Sequence, residues 1–211
     1  SYPSNSMLVF YCPSIRLIQE NRLHVSAEIF PMSDDPVSTY IILNNVKMHF
    51  EEYFVKYACP DGVSAVIFEG IEKAKPTEKV IEAIMSADKI ILAPSNPVVS
   101  IGTILSLKGV KDALTKTEAK IVAVSPIING KPVKGPADKL MKVLGLEASS
   151  YGVAKFYSEF LDAIVIDYSD VQLKKKIESL DVKVFVTNTL MVNKVDKVNL
   201  SKFVLNCFEG L

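Results

Sequence analysis

The sequence has no surplus of charge of either sign: 24 Lys and Arg stand against 24 Asp and Glu. Without a net field there is no global electrostatic case for nucleic acid or an anionic membrane as partner, although a local basic loop can still hold a small phosphate. Cysteine is scarce. Cys12, Cys59 and Cys207 are an odd set at wide spacing, and no Cys-x-x-Cys occurs, so neither a zinc site nor a redox dithiol is signalled. The two histidines, His24 and His49, are too few for a His-rich metal site. The longest strongly apolar runs are about five to seven residues, against the ~20 that a membrane-spanning helix needs. Residues 1–16 show no basic stretch followed by a long apolar core, so no secretory signal is indicated and a reducing, cytoplasmic setting is expected. Glycine is also sparse, at nine residues, and neither a Walker A sequence nor a Gly-x-Gly-x-x-Gly is present.

What is present describes a globular chain. Hydrophobic residues make up 49% of the 211 and charged residues 23%, which excludes intrinsic disorder. The length suits one large domain or two small ones, and no linker, repeat or low-complexity tract divides it, so a single domain over 1–211 is expected. Within residues 1–23, Met7 to Tyr11 reads as a strand. Thr39 to Leu43 and Val46 to Phe50 flank Asn44-Asn45, a pair that tolerates the left-handed conformation of tight turns, and so read as a β-hairpin. Glu51 to Ala58 reads as a short helix with Phe54 and Val55 on one side. Together, 31–58 read as a hairpin-helix insertion. Short apolar runs at Ser64 to Phe68, Lys89 to Ala93 and Lys120 to Val124 read as strands buried on both faces. Helical patterns lie between them, one opening at Pro76 with Val80, Ile81, Ile84 and Ala87 on one face, another carrying Ile101, Ile104 and Leu105. The alternation predicts an α/β fold, a Rossmann-like parallel sheet flanked by helices. Helices at Pro136 to Leu144, Ser150 to Leu161, Val171 to Ser179 and Val198 to Phe208, with strands at Ala163 to Asp167 and Val182 to Thr187, complete it.

Open parallel sheets bind ligands beyond the carboxyl ends of their strands. Two loops fall there. The first, Pro94 to Gly102, packs Ser95, Asn96 and Ser100 ahead of a helix start, where free N–H groups and the helix dipole attract phosphate. Ser95 or Asn96 capping that helix explains the same residues. The second, Ser125 to Pro136, holds Ser125, Gly130, Lys131, Lys134 and Gly135. Lysine is a compact charge for phosphate, and glycine lets backbone N–H groups approach an anion. A surface turn with solvated lysines is the alternative. Asp34 and Asp35, within Pro31 to Thr39, suit a water-bridged Mg²⁺ or a sugar hydroxyl, or else a plain turn before the hairpin. His49 reads as a hydrogen-bonding residue of its hairpin. Lys174-Lys175-Lys176 reads as a solvated helix face, and Tyr151, Phe156, Tyr157 and Phe160 as core.

The stretches Ala87 to Gly102 and Val122 to Pro136 closely resemble the signature of the 2-phospho-L-lactate transferase (CofD) family. The likeness continues through Met141, Gly145, Gly152-Val153-Ala154, Tyr157, Val165-Ile166-Asp167 and Asp170, and includes Pro31 to Val37 and His49-Phe50. It implies transfer of a phospholactyl-type or enolpyruvyl phosphate group from a guanosine diphosphate-linked donor to the deazaflavin Fo, with GMP leaving and Mg²⁺ assisting. It also implies that Asn96 and Ser100 hold the donor's phosphates and that Asp34 and Asp35 lie on the acceptor side. Negative charge growing on departing GMP calls for a cation, for which Lys134 is the candidate and Lys131 the runner-up. A homodimer is left open. The family opens with a strand and a Gly-Gly-Thr-Gly-Gly type of turn, followed by acidic residues that help hold the metal. Nothing here matches these, so the sequence joins the family pattern about a third of the way in, and no metal ligand can be assigned. The expectation is then that this stretch binds GDP but turns over Fo only with the upstream segment restored. Two alternatives remain: a nucleotide-sugar-binding regulator of the gluconeogenesis-factor type, whose loop reads Gly-Ser-Leu-Tyr-Thr-Ser where this chain has Ser95-Asn96-Pro97, and a non-catalytic fragment.

Overall fold

The computed structural model describes residues 28–211 and the backbone of Val9–Tyr11. The expected strand at Met7 to Tyr11 is β1, Val9–Tyr11, which pairs in parallel with β2, Ile29–Pro31. Met7 and Leu8 lie outside the described residues, as do Cys12 and His24. The hairpin follows as β3, Ser38–Leu43, and β4, Val46–His49. Asn44 and Asn45 take φ of 49° and 66°, the positive values that a tight two-residue hairpin turn demands. A π-helical turn, Glu52–Lys56, comes next, and then β5, Val63–Glu69.

Beyond β5 the chain alternates. Helix α1 is Glu78–Ser86 and strand β6 Lys89–Leu92. A second π-helical turn, Pro97–Ile101, runs into α2, Gly102–Leu105, and α3, Val110–Lys116, follows. Strand β7 is Lys120–Val124. Two short strands, β8 (Ile127–Ile128) and β9 (Lys131–Pro132), precede α4, Ala137–Val143, and α5, Ser150–Tyr157. Strand β10, Ala163–Asp167, leads through a 3-10 turn to α6, Lys174–Glu178, then β11, Lys183–Thr187, and α7, Lys194–Cys207.

The main sheet is parallel throughout, in the order β11-β10-β7-β6. Alternation along each strand divides its residues between two cores. Ile90, Leu92, Ile121, Ala123, Ile164 and Ile166 face the larger one. Val122, Val124, Ala163 and Val165 face Leu200, Val204, Cys207 and Phe208 of α7. All five residues of β10 are buried, at roughly 1.5–3 kcal/mol for each large aliphatic side chain taken from water. This double coverage is why its sequence is a continuous apolar run.

Two expectations need correction. Ser64 to Phe68 is not a strand of the parallel sheet. It lies within β5, which pairs antiparallel with β3, giving a separate sheet in the order β4-β3-β5. Ile67 and Glu69, two apart, are exposed, so one face of this strand meets solvent. A five-residue apolar run has too little period to tell one covered face from two. The parallel sheet therefore begins at β6. In the expected helix at 51–58, Phe54 and Val55 are exposed and Tyr53 is the buried residue, packed with Ile41 and Leu43. The wider π-helical turn shifts each side chain around the axis relative to the α-helical spacing. Pro76 stands ahead of α1, whose cap position is Thr77.

Candidate functional site

The loops after β6, β7, β10 and β11 all leave from the same carboxyl edge of the sheet. In the first loop Asn96 is the cap of the π-helical turn. Its Oδ1 accepts from Val98 N at 2.9 Å and Val99 N at 3.3 Å, while Pro97 fills the first helical position. The capping role is thus observed, and two of the amides expected to meet a phosphate already have an acceptor. Asn96 keeps its Nδ2 donor. Ser95 and Ser100 are half-buried beside it.

The second loop is a small hairpin. Ile127 and Ile128 pair with Pro132 and Lys131 across Asn129 and Gly130, whose φ values are 49° and 73°. Gly130, Lys131, Lys134 and Gly135 are exposed. Helix α4, which this loop enters, packs on the Pro97–Ile101 turn, so the two loops adjoin. Ser125 sits differently from its neighbours. It is buried, and its Oγ lies 3.0 Å from both Ile127 O and Ser150 Oγ and accepts from Ile127 N at 3.2 Å. Its hydroxyl holds the loop's shape from within.

A residue without a role in the residue-by-residue reading completes that network. Asp170, nearly fully buried in the 3-10 turn after β10, accepts from Ser150 Oγ at 2.9 Å and from Asn129 N at 3.2 Å. Asn129 opens the hairpin turn, so this carboxylate fixes the turn that presents Lys131. Asp167, buried at the end of β10, accepts from Ser169 N and Thr189 N, each at 3.0 Å. Burial works to raise its pKa, but these bonds to the ionised form outweigh it and hold the carboxyl below its ordinary value. Asp167 thereby ties the β10 loop to the β11 loop. An Asp closing a five-residue apolar strand is a signal that sequence offers. Asp170, three residues further into a loop, carries none outside the resemblance.

Asp34 and Asp35 are exposed. Asp35 Oδ2 accepts from Lys75 N at 2.9 Å, and its own N–H donates to Ser33 Oγ, which in turn donates to Lys75 O. This turn clips residues 31–35 to the segment ahead of α1, and the bonds of Asp35 run there, not to either loop. No group of three or more His, Cys, Asp and Glu side chains converges among the described residues, so these residues do not by themselves fit a Mg²⁺ ion. His49 Nδ1 accepts from Glu51 N, as a hydrogen-bonding residue of the hairpin does. Lys176 pairs with Glu147 and Lys174 with Glu178, while Tyr157 and Phe160 are core and Tyr151 and Phe156 half-buried. No described helix is long and apolar enough to cross a membrane.

Known proteins match this chain over most of its length. The family model described as 2-phospho-L-lactate transferase CofD matches residues 14–202. The chain is 44% identical over 188 residues to the 2-phospho-L-lactate transferase of Methanosarcina barkeri, covering 89% of this chain and 60% of that protein. It is 43% identical to the enzyme of the same name from Methanothermobacter thermautotrophicus, covering 89% and 60%. It is 37% identical to the phosphoenolpyruvate transferase of Streptomyces griseus, covering 83% and 56%. The chain thus spans about three fifths of the length of the curated relatives it matches. Among solved structures, a UPF0052 family protein from Bacillus halodurans superposes with a TM-score of 0.59 at 17% identity, covering 87% of this chain and 63% of that one, a likeness of fold.

Proposed function

The chain belongs to the 2-phospho-L-lactate transferase CofD family, and from that premise we propose that it serves the transfer of a phospholactyl group from a guanosine diphosphate-linked donor to the hydroxyl of the deazaflavin Fo. The observation that carries this reading is the family match across residues 14–202, which takes in both loops of the carboxyl edge. The methanogen relatives carry the phospholactate name, and their identities of 43–44% favour lactate over enolpyruvate as the donor acid.

The reaction forms a bond from the acceptor oxygen to the donor phosphorus and breaks the bond from that phosphorus to GMP. The hydroxyl proton is released. Negative charge grows on the leaving phosphate, and a fixed cation there lowers the barrier. Lys134, exposed beside Gly135 at the entry to α4, fits that role, with Lys131 three residues earlier on the same arm of the hairpin. Asn96 Nδ2 and the hydroxyls of Ser95 and Ser100 hold the donor's phosphates, while Asp170 and Ser125 keep the facing loop in shape. Asp34 and Asp35 stand on the acceptor side. No step is assigned to Mg²⁺, for which the described residues supply no ligand set.

Incubating the chain, joined to the family's glycine-rich opening segment, with Fo, Mg²⁺ and the guanosine-linked donor tests the reading. GMP and phospholactyl deazaflavin in equal amounts are expected. Binding of the donor with neither product formed contradicts a transferase and favours a nucleotide-binding regulator.

A further inference from the structure

The insertion between β3 and β5 rests on the loop that carries Lys134. Gly135 has φ of 72°, and a Cβ there would lie 3.4 Å from the ring of Phe54. Phe54 stacks on Phe50 with ring centroids 5.8 Å apart and planes 8° from parallel. The chain leaving the Glu52–Lys56 turn then passes through two consecutive left-handed residues, Ala58 at φ 51° and Cys59 at φ 58°. Non-glycine residues enter that region only where neighbours hold them. Three bonds do so here. Cys59 N donates to Tyr53 O at 3.1 Å, Tyr53 Oη donates to Pro60 O at 3.1 Å, and Lys139 Nζ donates to Cys59 O at 2.6 Å.

Lys139 is the one of these that reaches from outside the insertion. It sits on α4, one turn past Gly135-Pro136, and also pairs with Asp61 at 2.8 Å. Asp61 is 90% exposed, so that ion pair is screened and the carbonyl bond is the stronger tie. We propose that Lys139 is a positioning residue, a latch that holds the strained Ala58–Cys59 return on α4 and so keeps Phe54 seated on Gly135 at the mouth of the Lys134 loop. The latch is independent of the transferase reading; its consequence, a fixed wall beside the loop whose lysine meets the donor's leaving phosphate, rests on that reading.

Cys59 reports on the latch. Burial pushes its thiol pKa up, while the Lys139 charge pulls it down. Loss of the charge alone therefore slows alkylation of Cys59, whereas release of the return exposes the thiol and speeds it. Iodoacetamide labelling of the ligand-free protein, read at Cys59 by peptide mass spectrometry, separates the two. Lys139→Met is expected to raise the rate at least fivefold, and Lys139→Arg, which can still donate to the carbonyl, to return it to within twofold of the parent. Lys139→Gln replaces the Met variant if that one fails to fold, with the same direction expected. An unchanged or slower rate overturns the latch. In the second arm, GDP affinity measured by calorimetry at high salt, where the Lys139 charge itself is screened, should fall at least fivefold in Lys139→Met and recover in Lys139→Arg. Faster labelling with unaltered GDP affinity overturns the positioning role. A parent protein that binds no GDP refutes the donor-site reading and with it that role, and the labelling rates still decide the latch.

Discussion

Asn96 Oδ1 is committed to the amides of Val98 and Val99, which leaves Nδ2 as the atom able to donate to a phosphate. The two roles separate by substitution. Asn96→Asp keeps the capping oxygen and replaces the donor with a repelling charge. It should leave the melting temperature near that of the parent while weakening GDP binding by roughly 1–3 kcal/mol in calorimetry. Asn96→Ala should do both, losing about 1 kcal/mol of stability as the cap goes. Asp167 gives a pH signature. Its folded pKa is depressed below the ordinary 3.8, so it contributes stability that is present above that value and lost as pH falls through the folded one. Thermal melts below about pH 4 should therefore bring the parent toward Asp167→Asn, from a gap of roughly 1–3 kcal/mol at neutral pH. A gap that stays constant into acid would refute the charge as its source. Residue types announced the cap at Asn96, because a carboxamide followed by Pro97 ahead of an apolar helical stretch is a helix-start signal. The structural duty of Ser125 was not legible, since a hydroxyl reads the same whether it faces a ligand or a neighbouring carbonyl.

At the level of elements, α5 depends on one glycine. A Cβ at Gly152 would lie 1.8 Å from Glu147 O, a backbone atom that cannot swing aside. The Ser149 hydroxyl caps this helix at Gly152 N, at 3.2 Å, so its start is fixed from both sides. Gly152→Ala should cost about 3 kcal/mol or more, measured by denaturant unfolding. Wild-type stability in that variant would mean that the Glu147–Ser150 turn is looser than described. The strands of the parallel sheet were legible because burial on both faces leaves an unbroken apolar run, as in Ala163 to Ile166. Strand β5 imitated that run with Ala65-Val66-Ile67-Phe68 while pairing antiparallel with β3. Pairing partners are set by the rest of the fold, which a local window does not contain. The hairpin was easier, because Asn44-Asn45 states its turn chemistry outright.

For the molecule as a whole, one sheet edge gathers the polar loops of four parallel strands, and the family match spans those loops. This edge is proposed to bind a guanosine diphosphate group with a lysine as counter-charge. A lysine–phosphate contact near the surface is screened by salt, so affinity must fall as ionic strength rises. Calorimetric titration of GDP into the parent and Lys134→Met at a series of salt concentrations tests this most directly. The parent should bind GDP with an affinity declining steadily with salt, and Lys134→Met should bind more weakly with most of that decline removed. No GDP binding by the parent, or a salt dependence that Lys134→Met leaves intact, would contradict it.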